Sequence, residues 1–275
     1  MDTIRIRHLE VFGNHGVFPE ETRLGQKFLV NAVLYTQTRE AGLADDLKKS
    51  IHYGEICHEI TRFLRENTYQ LIESAAEHLA EHLLLHTPRL ERIELEILKP
   101  WAPIGLPLES VSVKITRGWH QAYLALGSNM GDRQAYLTEA IEKLSRIKGV
   151  QVGKVSRLIE TEPYGGVEQE PFLNGCLMVS TILTPKELLH DMNRIEAEAG
   201  RERLIHWGPR TLDLDMIFYD DLVTEEEELL LPHPDMENRD FVLGPLAELC
   251  PYKHHPVTGR TVREMLMDLE RRKNI

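Results

Sequence analysis

The sequence predicts an α+β protein of two domains, and two observations carry that reading. Apolar residues alternate with polar ones over several short stretches, as in half-buried strands. Over others they recur at three- and four-residue spacing, as in amphipathic helices. The order of these stretches changes character near residue 119: before it the pattern runs β-β-α-α-β-β, and after it β-α-β-β-α-β. A chain of 275 residues is comfortable as two units, each able to bury its own core. The expected domains are 1–118 and 121–275, with no Gly/Ser- or Pro-rich tether between them.

In the first domain Ile4 and Ile6 alternate with charges, and the run from Phe28 to Tyr35 forms a second strand. Ile56, Ile60, Phe63 and Leu64 share one helical face, and Ile72, Ala75, Ala76, Leu79, Leu83 and Leu84 share another. ERIELEIL (91–98) and SVSVKIT (110–116) return to alternation. Antiparallel strands with two helices inserted predict helices layered on one face of a sheet.

In the second domain QAYLALGSN is a strand ending in Gly127, Ser128 and Asn129, and Asp132 caps a helix running to about Ile147. Strands are expected around Val152–Glu160 and Leu173–Ile182. Pro185 opens a helix at a position that tolerates proline, and that helix ends near Gly200. The strand carrying Asp213 and Asp215 closes the unit, an order that is the ferredoxin-like split βαβ. A tail with LPHPDMENRDF and an amphipathic helix (Val262, Met265, Leu266, Leu269) follows.

Composition excludes several classes. Asp and Glu number 44 against 32 Lys and Arg, and neither half is basic, so no nucleic-acid partner is expected. Cys57, Cys176 and Cys250 are odd in number and sit among apolar neighbours, which predicts buried thiols in a reducing cytoplasm. MDTIRIRH lacks the apolar stretch of a signal peptide, and no run suits a membrane span, so a cytoplasmic location is expected.

HWGPRTLDLDMIFYDD (206–221) is the most informative segment. Asp213 and Asp215, two apart on a strand, project from one face, while Leu212, Leu214 and Met216 face the core. Two adjacent carboxylates call for a cation, and oxygen-only ligands suit Mg²⁺. IEAEAGRER (195–203) supplies Glu196 near a helix end and Arg201 and Arg203 in a loop, with Arg210 and Arg239 farther on. Guanidinium groups bind phosphate oxygens bidentately, and arginines beside an Asp-held cation are a recurring kit for phosphoryl-type transfer. No GxxxxGK[ST] motif is present.

GRER…HWGPRTLDLD followed by LPHPDMENRDF resembles 6-hydroxymethyl-7,8-dihydropterin pyrophosphokinase over essentially all of 120–275. The resemblance implies transfer of the β,γ-pyrophosphoryl group of ATP to a pterin hydroxymethyl, with AMP leaving. It implies two Mg²⁺ ions on Asp213 and Asp215, and ATP contacts from Glu196, Arg201, Arg203, Arg210, His233 and Arg239. Arg201 and Arg210 would be catalytic. Asn174 would read the pterin edge, Phe172 and Phe241 would sandwich the ring, and Thr161 and Trp207 would lie nearby. Glu162-Pro163 and Tyr164 depart from the family's usual Pro-Pro and leucine.

In the first domain GNHGVFPEETRLGQ (13–26), SIHYGEI (50–56), LIESAAE (71–77) and ILKPWAPIG (97–105) each present one ionisable or phenolic residue: Glu21, Tyr53, Glu73 and Lys99. A lysine held against apolar surface gives up its proton more readily, and Pro100, Pro103 and Pro107 stiffen the loop beside Lys99. Together the four motifs resemble dihydroneopterin aldolase. That resemblance implies a tunnelling fold and retro-aldol cleavage of dihydroneopterin to 6-hydroxymethyl-dihydropterin and glycolaldehyde, without a metal or other cofactor. Glu73, with Ile72 and His52, would bind the pterin, while Lys99 and Tyr53 move protons beside Glu21. Members of that family assemble as rings, which predicts a homo-oligomer with Tyr53 and Lys99 meeting across an interface. The aldolase product is the kinase substrate, so the two resemblances describe consecutive steps of folate biosynthesis. The alternative is a monofunctional pyrophosphokinase whose N-terminal half is an inactive oligomerisation module. A metal-dependent first half, drawing on His8, His15, His52 and His58, lacks any HxH or HExxH pairing.

Overall fold

The alternating stretches of the first half become one antiparallel sheet. In the computed structural model, which describes residues 1–163, 169–200 and 210–273, the chain divides into two units, Met1–Trp119 and His120–Ile275. The first has strands β1 (Asp2–Gly13), β2 (Gln26–Thr36), β3 (Arg92–Lys99) and β4 (Val111–Gly118), in the order β1-β2-β3-β4. Two long helices, α3 (Tyr53–Glu66) and α4 (Ile72–His86), lie between β2 and β3 in sequence. Every second residue of β2 from Phe28 to Leu34 is buried, as are Ile93, Leu95 and Ile97 of β3 and, on the helices, residues that include Ile60, Leu64, Ala75, Leu79 and Leu83. The β-β-α-α-β-β order holds, with two short helices that periodicity did not predict: α1 (Pro19–Leu24) and α2 (Arg39–Ala44). At six residues each, they are too short to carry a period.

The second unit runs β5 (His120–Ser128), α5 (Arg133–Ser145), β6 (Val150–Val155), β7 (Ile159–Thr161), β8 (Phe172–Thr181), α6 (Pro185–Glu198) and β9 (Asp213–Tyr219). Its sheet has the order β6-β8-β5-β9, with β7 also on β8, and every pairing is antiparallel. Asp132 caps α5 by accepting the Ala135 N–H at 3.0 Å, and Thr184 with Glu187 forms a capping box ahead of Pro185. The strand expected around Val152–Glu160 is two strands. Ser156 Oγ accepts the Cys176 N–H at 2.9 Å, so a side chain occupies a ladder position and the pairing breaks there.

Both faces of this sheet are covered. Leu124, Leu126, Leu177, Leu214 and Met216 pack with Leu137, Leu144, Leu188 and Met192 of α5 and α6. Tyr123, Ala125, Cys176, Ile217 and Phe218 pack with Val242, Leu243, Leu246 and Met265. The latter group comes from α7 (Asp240–Leu249) and α8 (Val262–Lys273), which follow a small hairpin of β10 (Thr224–Glu226) and β11 (Leu229–Leu231). No helix among the described residues is long and apolar enough to cross a membrane. Cys57, Cys176 and Cys250 are free thiols; the last two are buried, and burial pushes the Cys250 thiol up to about 11.

Candidate active sites

In the second unit one cleft of ≈ 220 Å³ gathers most of the singled-out residues: Thr161, Phe172, Asn174, Arg210, Asp213, Asp215, His233, Arg239 and Phe241. The i, i+2 geometry of β9 places Asp213 and Asp215 on the open face, while Leu212, Leu214 and Met216 are buried in the core behind them. Arg210 Nη1 donates to Asp213 Oδ2 at 2.6 Å, and Arg239 Nη1 stands 3.6 Å from Asp215 Oδ2. His233 Nδ1 accepts the Asp235 N–H, which leaves the ring proton of the neutral form on Nε2, 3.9 Å from Asp215. Burial, then the neighbouring Asp213 charge, holds the Asp215 carboxyl above the ordinary carboxylate range. Burial likewise depresses His233, against the opposing pull of Asp215.

The other end sets an amide and a hydroxyl beside the rings of Phe172 and Phe241. Asn174 is 7 % exposed, and its Nδ2 donates to Thr161 Oγ1 at 2.7 Å. Gly127 faces it across the β5–β8 ladder. A Cβ there would sit 2.5 Å from Asn174 Oδ1, so only glycine lets that amide lie against the strand. Gly127, Gln169 and Glu162 also line the cleft. Sequence reasoning named Gly127 only as a strand end; the signal available was a glycine inside an otherwise apolar strand.

Glu196 is not among the residues lining the cleft. It is 3 % exposed, and its Oε1 accepts the Leu214 N–H at 2.7 Å, between the two aspartates in sequence. That bond steadies β9 from behind. Arg201, Arg203 and Trp207 lie outside the described residues. No cluster of three or more metal-type side chains occurs among the described residues, although Mg²⁺ requires only one or two carboxylates beside water and phosphate.

In the first unit β3 and α1 bring Lys99 and Glu21 into an ion pair, with side chains 13 % and 7 % exposed. Glu21 also accepts from the Phe18 N–H at 3.1 Å and from Gln26 Nε2 at 3.0 Å. Burial raises the Glu21 carboxyl, but Lys99, the Phe18 N–H and Gln26 together outweigh it and leave the group below its ordinary value. A Cβ on Gly16 would collide with this carboxylate, so the glycine admits it. Lys99 thus meets the carboxylate of Glu21, which is remote in sequence and is presented to the lysine by α1.

The remaining candidates stand apart. Tyr53 is 63 % exposed at the start of α3. His52 caps that helix, its Nδ1 accepting the Glu55 N–H at 3.3 Å. Glu73 is exposed in the first turn of α4, beside buried Ile72. Among the described residues no hydrogen bond or ion pair links Tyr53 or Glu73 to Glu21 or Lys99. His15 is fully buried, and its Nδ1 accepts the Tyr69 N–H at 3.2 Å.

Residues 123–251 match the family model of 7,8-dihydro-6-hydroxymethylpterin-pyrophosphokinase. The chain is 49 % identical over 129 residues to the 2-amino-4-hydroxy-6-hydroxymethyldihydropteridine pyrophosphokinase of Bacillus subtilis, covering 47 % of this chain and 77 % of that protein. The chain belongs to the pyrophosphokinase family. Residues 4–116 match the family model of dihydroneopterin aldolase, so an aldolase domain precedes the pyrophosphokinase domain. The pairing is similar to the folic acid synthesis protein fol1 of Pneumocystis carinii, 32 % identical over 279 residues, covering 95 % of this chain and 37 % of that protein. The chain thus spans less than half the length of that relative, and likewise 42 % of the bifunctional protein FolKE of Lactococcus lactis. The Escherichia coli dihydroneopterin aldolase structure with neopterin is 28 % identical and matches 43 % of this chain and 100 % of that one, with a TM-score of 0.39.

Proposed function

We propose that the chain performs two consecutive reactions on a reduced pterin. The first unit cleaves 7,8-dihydroneopterin by a retro-aldol reaction, giving 6-hydroxymethyl-7,8-dihydropterin and glycolaldehyde. In the second unit the hydroxymethyl oxygen attacks the β-phosphorus of ATP, takes up the β,γ-pyrophosphoryl group and releases AMP. The observation that carries this reading is the polarity of the cleft. A hydrogen-bonding, aromatic end (Asn174, Thr161, Phe172, Phe241) adjoins an end holding two arginines, a histidine and two aspartates.

Arg210 and Arg239, with Arg201 and Arg203 from the segment outside the described residues, bind the phosphate oxygens, and His233 adds a ring N–H. Phe172 and Phe241 hold the pterin ring, Trp207 adjoins it, and Asn174 reads its edge. Glu196 acts on the nucleotide site by fixing β9. The donor set fits Mg²⁺: two carboxylates on one face, one of them raised by burial and by its neighbour's charge. Asp213 and Asp215 would hold two such ions, which neutralise phosphate charge when bound.

In the first unit Glu73, with Ile72 and His52, anchors the pterin. Lys99 and Tyr53 hold and move the protons of C–C cleavage, Glu21 aims Lys99, and the pterin ring itself stores the electron pair. Tyr53 and Glu73 stand apart from the Glu21–Lys99 pair, which favours a site completed by a second copy of the chain and hence a homo-oligomer. An inactive oligomerisation module would have no use for a buried Glu21–Lys99 pair, which disfavours that alternative. Incubation with dihydroneopterin, ATP and Mg²⁺ tests the whole reading: glycolaldehyde and AMP should both appear. AMP from added hydroxymethyl-dihydropterin, with no glycolaldehyde from dihydroneopterin, would leave only the second activity.

A further inference from the structure

Asn129 directly follows β5 and is 4 % exposed. Its carboxamide is engaged in two directions. Oδ1 accepts the backbone N–H of Arg210 at 2.7 Å, while Nδ2 donates to Gln169 Oε1 and to the Glu170 carbonyl, both at 3.1 Å. Its own N–H donates to the Arg210 carbonyl at 3.1 Å. The amide cannot be reversed, because the Arg210 N–H only donates and the Glu170 carbonyl only accepts.

These contacts reach two segments that lead to the two ends of the cleft. Gln169 and Glu170 lead directly into Phe172, the aromatic wall, and Arg210 leads into Asp213, the charged end. Asparagine alone meets the requirement. Aspartate has no donor for Glu170, glutamine is one methylene too long, and alanine loses both arms. Arg133 provides a contrast from the same turn. Its guanidinium donates to the Pro171 carbonyl and to Glu160, both at 2.7 Å, and so steadies only the aromatic side.

We infer that Asn129 is a positioning residue that couples the pterin end of the cleft to the phosphate end. A ligand that orders one arm of the bracket lowers the cost of ordering the other, so pterin and nucleotide each strengthen binding of the other by the same factor. The inference rests on the pyrophosphoryl-transfer reading proposed above.

The test is calorimetric binding of 6-hydroxymethylpterin to the 275-residue chain, with and without α,β-methylene-ATP and Mg²⁺. The ratio of the two affinities is the coupling factor. It should be about tenfold or more in the natural protein and fall toward one in Asn129→Ala and Asn129→Asp. Arg133→Ala should weaken pterin binding equally in both conditions and leave the ratio intact. A melting temperature for each variant separates loss of coupling from loss of fold. If Asn129→Ala does not fold, Asn129→Asp decides, because it keeps an acceptor for the Arg210 N–H. The inference is overturned if the Asn129 variants retain the natural ratio, if Arg133→Ala abolishes it equally, or if the natural protein forms AMP with a ratio of one. Absence of AMP from the natural protein would instead sink the underlying reaction assignment.

Discussion

Protonation of His15 should destabilise the first unit under mildly acidic conditions. The ring is fully buried, edge-on to Phe28 at 5.1 Å and stacked on Tyr69 at 5.8 Å, and Nδ1 is committed to the Tyr69 N–H. Burial, with the Lys99 charge as a smaller contributor, lowers the imidazole from its ordinary 6.5 to about 4, against an opposing pull from the Leu64 backbone. The folded value lies below the unfolded one, so between them the unfolded chain binds more protons. Stability is fully present above the unfolded value and is lost as pH falls toward the folded one. A shift of this size removes about 2 kcal/mol at pH 5 and about 3 kcal/mol at pH 4. His15→Asn retains an acceptor near the Nδ1 position and cannot titrate. Urea titrations of the two-domain chain near pH 7, 5 and 4 should therefore converge, with the natural protein losing stability faster than the variant. Pulsed hydrogen exchange at one common labelling pH, read on residues 26–36, reports the first unit specifically. A constant offset at neutral pH reflects altered packing and is immaterial. Parallel pH dependence in the two proteins would refute the reasoning.

Other expectations follow from the two sites. Asp213→Ala or Asp215→Ala should abolish AMP formation and spare glycolaldehyde release, measured in the same reaction; undiminished AMP in both variants would remove the metal assignment. EDTA should do the same, and loss of both activities with rescue by zinc would show a metal in the first unit. Lys99→Ala should reduce cleavage turnover about a hundredfold or more with a smaller effect on pterin binding, and Lys99→Arg should not rescue it. Normal turnover at saturation with weakened binding would make Lys99 a binding residue. Gly127→Ala, which drives a methyl into the Asn174 amide, should raise the KM for hydroxymethyl-dihydropterin about tenfold while ATP affinity holds; an unchanged KM would show that Asn174 does not read the pterin.

Local periodicity by itself determined the α+β class, the order of the main elements and the side-by-side aspartates. All three depend on the backbone repeat, which is a property of neighbours in sequence. The family resemblance, rather than periodicity, named Thr161, Phe172, Asn174, His233 and Phe241 of the cleft lining. Periodicity did not reveal α7, because this helix is apolar around most of its circumference and contains Pro245, so no single stripe marks it. The Ser156 interruption between β6 and β7 depends on a bond to Cys176, twenty residues away. Only the tertiary structure set the counter-charge of Lys99, which comes from Glu21 across the intervening helices and strands. It also gave Glu196 a bond to the Leu214 N–H of β9, and gave Asn129 bonds to both Arg210 and Gln169. A hydrogen bond or ion pair forms between groups that packing brings within reach, and that distance is fixed by how sheets and helices close on their cores rather than by the spacing of residues along the chain.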